Sequence, residues 1–172
     1  MEKITTARGV WLGGICSGVL AGIAMAVFLI VVAAFAGGSF ANPMQLIAGI
    51  FYGNAAASAG ASSALSGLAF HLLISAVIGL IFASFIRYST KTMAFFLGIS
   101  MSILIWAVAT FAVVPLLDPP LWRAVSSAMV SWFVAHLVFG GTLMITPAMV
   151  VRWSDSSSVS QLDDHVEYRK AA

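Results

Sequence analysis

The chain has 172 residues, of which 61% are apolar and 8% charged, with a net charge of +2 and a mean hydropathy of +1.04. An ordinary soluble domain is roughly one quarter charged, and so small a polar load cannot clothe a water-soluble globule. A soluble enzyme, a disordered chain and a nucleic-acid binder are excluded, and the composition is that of an integral membrane protein.

The first segment free of Asp, Glu, Lys and Arg runs from Val10 to Ala36. A cleaved signal peptide has an apolar region of only about 7–15 residues, so this segment reads as a retained span. Cys16, the single cysteine, has no partner for an intrachain disulfide, and Ile15 before it is not the small residue that a lipid-attachment box needs. Gly14, Gly18 and Gly22 recur at four-residue spacing, which puts them on one helix face where a second backbone can come close. Ser17 lies next to that face and can hydrogen-bond across it. The face reads as helix packing, within the chain or between copies, with a substrate groove as the alternative.

The connection from Gly37 to Ala64 carries no charge, opens with Gly37-Gly38-Ser39 and passes Asn42-Pro43. Its apolar stretch Met44–Tyr52 is too short to span, and predicts a re-entrant or interfacial helix. The run Asn54–Ala64 is nearly all Ala, Ser and Gly, and reads either as an outward extension of the next helix or as a flexible loop. Three more uncharged apolar segments follow, at about Leu65–Ile86, Met93–Val114 and Ala124–Val151. Each exceeds the roughly 20 residues that cross a hydrocarbon core, and in lipid such segments must be helices. The expected fold is an all-α membrane bundle of four spans over residues 1–153. Between the last two spans, Pro115, Pro119 and Pro120 predict a stiff external loop. There Trp122 and Arg123 suit an interface, and Asp118 is placed to pair with Arg123 or to centre a site of its own. The fourth span would be about 42 Å long as one helix, so it should tilt, project or bend, with Pro147 the natural bend point. From Ser154 to Ala172 the chain turns polar, which predicts a disordered tail.

Lys3, Arg8, Arg87, Lys91 and Arg152 fall on one side of this topology and Arg123 on the other. The positive-inside bias then predicts both termini in the cytoplasm. An internal repeat is suggested by an offset of 65 residues, which lays His71-Leu72 on His136-Leu137 and Arg87-Tyr88-Ser89 on Arg152-Trp153-Ser154. A weaker match sets Leu12-Gly13 and Ser17 on Leu97-Gly98 and Ser102. Two tandem two-helix units would be related by an axis along the membrane normal.

His71 and His136 are the strongly basic side chains inside the spans, at matching depth. His71, Ser75 and Gly79 share one face, as do His136, Gly140 and Met144. An ionisable group in a span is by default a candidate functional residue. The readings are neutral imidazoles bonding helix to helix, a proton- or substrate-contacting pair on a wet cavity, and haem b held between both rings. In each, the rings face the bundle interior. No P-loop, HExxH, CxxC, GxSxG or dinucleotide fingerprint occurs, so no catalytic residue or other metal site is expected.

Gly18 and Ala21-Gly22 in the first span, His71 and Ser75 in the second, Pro115 with Pro119-Pro120 and Trp122, and His136-Leu137-Val138 together resemble the YagU-like bacterial inner-membrane proteins. The resemblance is scattered over residues 10–150, and departs from the family in the Ala/Ser-rich segment after Tyr52 and in the serine-acidic tail. It implies a small polytopic protein of the bacterial inner membrane and no particular reaction. The expected function is structural or accessory, as a homo-oligomer or a subunit of a membrane complex, with lipid and no nucleic acid as partner. A small transporter or channel for a neutral or apolar solute, and a bis-histidine haem subunit for electron transfer, are the alternatives.

Overall fold

The structure, a computed structural model, describes residues 5–57, 59–86 and 88–154, and these are helical with no strand among them. Four helices are long and apolar enough to cross a membrane: Ala7–Phe35, Gly60–Ile86, Lys91–Leu117 and Met129–Ser154. The protein is a multi-pass membrane bundle. Helix α1 (Ala7–Phe35) starts at Thr6, whose side chain accepts the Gly9 N–H at 3.0 Å. It is closed by Gly37 at φ +75°, while the Gly38 N–H reaches back to the Ala33 carbonyl at 2.9 Å. That left-handed turn after a helix is a glycine conformation. Helix α2 (Asn42–Tyr52) follows, with Pro43 in its first turn, where a missing N–H costs nothing. A 3₁₀ turn (Gly53–Ala57) leads to α3 (Gly60–Ile86), so only the last part of the Ala/Ser/Gly run, residues 60–64, extends the second span.

The prolines shape the second half. The third span is α4 (Lys91–Val108), a π turn (Ala109–Val113) and α5 (Val114–Leu117). Pro115 cannot donate to the carbonyl four residues back, and the widened turn lies where that bond is lost. The expected stiff loop after it is instead a joint between helices. Asp118 caps α6 (Pro119–Ser127), and Pro119 and Pro120 occupy the first turn, whose N–H groups have no helical partner anyway. Residues 124–127 therefore belong to α6, not to the fourth span. The break falls at Ala128 (φ −127°, ψ 35°), and the span begins with α7 (Met129–Thr142).

Near Pro147, the expected bend point, the helix tightens into a 3₁₀ turn (Leu143–Ile145) before α8 (residues 146–154). Pro147 leaves the Leu143 carbonyl without its N–H, and the Thr146 hydroxyl approaches it at 2.7 Å instead. The helix runs through Ser154, which is buried and receives the Thr6 N–H at 3.1 Å. Ser154 thus closes the bundle rather than opening the tail, and residues 155–172 lie outside those described.

The spans pack in the order α3, α1, α7–α8, α4. A core of Ala21, Met25, Leu29, Phe82, Ile86, Ala94, Ala135, Phe139 and Leu143 fills the space among them. Large side chains such as Leu20, Ile23, Val27, Leu73, Val77, Phe96 and Leu104 are exposed and suit acyl chains. Helix α2 folds back onto α3: Met44 and Ile47 pack with Ala26, Ala64, Leu68 and Phe70. Because Ala26 lies within the apolar body of α1, α2 packs beside the spans as the short, non-crossing helix expected from its length.

Candidate functional site

Two stripes of small residues run along α1, one position apart and therefore about 100° around the helix. The first is the glycine face expected from the sequence. A Cβ on Gly18 would strike the Ser75 carbonyl and the Gly79 backbone, one on Gly14 the Leu80 backbone and the Ala83 methyl, and one on Gly22 the Ser75 side chain. Gly14, Gly18, Gly22, Ser75 and Gly79 thus form one seam between α1 and α3. The second stripe, Gly9, Gly13 and Ser17, is a seam the sequence reading missed, although it has the same four-residue spacing. A Cβ on Gly9 would strike Ser154, and one on Gly13 the backbone of Val150. Ser17 is fully buried, and its hydroxyl lies 2.9 Å from that of Thr146, equally buried. The serine expected to bond across the glycine face instead bonds to the fourth span.

The α4–α7 pair repeats this construction. Gly98 and Gly140 meet carbonyl to Cα, and Ser102 packs on Gly140. The crossing Gly18–Ser75 with Gly22 therefore corresponds to Gly98–Gly140 with Ser102, with glycine and serine exchanged between helices. This keeps the 65-residue offset of the histidine helices but shifts the first and third helices by five residues from the sequence match of Gly13 with Gly98. The expected tandem two-fold is not formed among the described residues. Helix α1 packs on both α3 and the fourth span, whereas α4 packs closely on the fourth span and has no comparable contact with α3.

The histidines part company at this level. His71 on α3 donates Nε2–H to the Gly22 carbonyl of α1 at 3.0 Å, so it does join two helices at the end of the glycine seam. His136 donates Nδ1–H to the Trp132 carbonyl of its own helix at 2.8 Å, and the expected helix-to-helix bond is absent there. In both, a carbonyl can only accept, so the bonded nitrogen carries the proton and the other keeps its lone pair. Those remaining nitrogens are Nδ1 of His71 and Nε2 of His136. Both rings are half-buried rather than turned to lipid. Among the described residues no group of three His, Cys, Asp or Glu side chains comes together for a metal.

Asp118 is 1% exposed, although it lies in a connection between spans. Its Oδ1 accepts the Leu121 N–H at 3.0 Å, and its Oδ2 is buried with no hydrogen-bond partner. Among the described residues no ion pair joins it to Arg123, which is exposed, so the expected pairing is not made. Helix α2 covers it: Gly49 lies so close that a Cβ there would meet Oδ2. Gly49 has Gly53 four residues on, a spacing that could have marked it in the sequence, whereas Gly67, which rests on the Met44 carbonyl, has no glycine four residues to either side. Comparison of the chain with family models, curated proteins and solved structures gives no match.

Proposed function

We propose that this is a non-catalytic accessory protein of the bacterial cytoplasmic membrane, acting as a homo-oligomer or as a subunit of a larger membrane complex. The observation that carries this reading is how the polar groups inside the bundle are used. Ser17 with Thr146, His71 with Gly22, and the seams at Gly18 and Gly98 all join helix to helix, and so fix one packing. Such use leaves the function to surfaces, and the third span offers the barest one, with Phe96, Leu104 and Phe111 exposed. Both termini lie on the cytoplasmic side in this proposal, because Arg8, Lys91 and Arg152 stand at one end of the spans and Arg123 at the other. The resemblance to YagU-like proteins agrees with it. Mass measurement of the protein extracted from its own membrane tests the idea: a defined multimer or complex is expected. A monomer that transports a solute in proteoliposomes would overturn it.

A second reading has one observation in its favour. Each histidine gives one ring N–H to a backbone carbonyl and keeps the other nitrogen bare, which is the state of a metal-ligating imidazole. A haem between them would make this an electron-transfer subunit. A Soret band in the purified protein selects that reading, and its absence after growth with added haem rejects it.

A further inference from the structure

We propose that the hollow between α2 and the start of α6 binds a zwitterionic head, with an ammonium group against Asp118 and an anionic group against Arg123. Two adjoining cavities, of about 80 and 290 Å³, share Gly49, Gly53, Asp118 and Pro120. The smaller is lined also by Asn42 and Gln45. The Gln45 Nε2 is committed to the Gly60 carbonyl at 2.9 Å, so its Oε1 is left as an acceptor. With the unpartnered Oδ2 of Asp118, the inner end holds two acceptors beside the amide of Asn42. The larger cavity reaches Arg123. Asp118 and Arg123 thus line one space without pairing to each other.

The charge count selects the ligand. Asp118 is the one acidic residue among those described, so the inner end supplies a single negative charge. A divalent metal takes six or more oxygens and commonly several carboxylates, whereas a primary ammonium brings one charge and three N–H donors. A free cation would meet Arg123 at the mouth and be repelled. A zwitterion turns that contact into a charge-assisted bond to its phosphate or carboxylate. Two sources carry this chemistry, an ethanolamine phospholipid and a soluble zwitterion. The proposal stands independently of the accessory role.

The test uses the full-length protein in detergent, loaded with phosphatidylethanolamine or phosphatidylglycerol and weighed with its lipid by native mass spectrometry. Wild type should retain the ethanolamine lipid about tenfold more strongly, the scale of one charged hydrogen bond. Asp118→Asn keeps the cap on Leu121, since Asn caps as well as Asp, and should abolish the preference. Gly49→Ala should do the same by driving a methyl into the carboxylate. Arg123→Gln changes an exposed side chain, so it keeps the test open should the buried variants not fold. It should lower retention several-fold, as expected for loss of a charge-assisted contact. Displacement of the lipid by millimolar O-phosphoethanolamine would assign the site to a soluble zwitterion, and no displacement to the lipid. Equal retention of both lipids with no effect of O-phosphoethanolamine on thermal stability would overturn the proposal, as would a preference untouched by both Asp118→Asn and Arg123→Gln.

Discussion

A methyl group has nowhere to go at Gly18, because the atoms it would meet are the Ser75 carbonyl and the Gly79 backbone, neither of which can rotate away. At Gly141 the nearest atom is the end of the Phe95 ring at 3.5 Å, an ordinary contact. Gly18→Ala should therefore lower stability in detergent by about 2 kcal/mol or more, and Gly141→Ala by well under 1 kcal/mol. Equal melting temperatures for the two variants would mean that the α1–α3 seam is loose. The histidines give a second contrast at this scale. His71→Leu strips the Gly22 carbonyl of an interhelical donor and should cost about 1 kcal/mol, with His71→Gln recovering part of it. His136→Leu removes only a bond inside its own helix and should cost less, as paired thermal melts would reveal. The sequence singled out both rings, which are half-buried. It could not tell these two partners apart, because the choice between a carbonyl on α1 and one four residues back is set by helix rotation, which side-chain spacing does not encode.

The fourth span illustrates how an element is legible in part. Pro147 marked the tightened turn, because a missing N–H has a fixed address four residues upstream. Nothing in the composition marked the break at Ala128, since Ala124–Ser127 is as uncharged as the span it precedes. The cue was the pair of prolines after Asp118, which begin a helix of their own and so must be followed by an end. Thr146 is the residue that makes that turn affordable, through its hydroxyl beside Leu143 and Ser17. Thr146→Val should cost about 1–2 kcal/mol. Adding Ser17→Ala should then cost less than Ser17→Ala alone, because the contact between the two hydroxyls is lost only once and the Ser17 hydroxyl otherwise keeps the Gly14 carbonyl. Strict additivity of the two substitutions would show that the hydroxyls do not interact.

At the scale of the whole molecule, four spans and the short α2 were readable from hydropathy alone, because lipid imposes length and helicity together, while the start of the fourth span was not. Which helix sits beside which was not readable, since spans of similar apolarity are interchangeable as far as composition goes, and the glycine face told of a close contact without naming α3 as its partner. Orientation can be tested directly in a Cys16→Ser background. Membrane-impermeant thiol reagent added to intact cells should label Ser126→Cys and spare Thr92→Cys, and the reverse would place the termini outside. The two stripes of α1 also have a meaning in time. The chain is made from its amino terminus, and α1 can pair with α3 as soon as the first half has entered the membrane. The stripe of Gly9, Gly13 and Ser17 must wait for residues 146–154, the last part of the bundle to leave the ribosome. Until then the stripe lies open to lipid, its Ser17 hydroxyl held by the Gly14 carbonyl of its own turn but without the close packing that Val150 and Ser154 provide. An interrupted or truncated chain would keep that face open, giving the cell's membrane quality control a mark of incompleteness that the finished protein erases with α8.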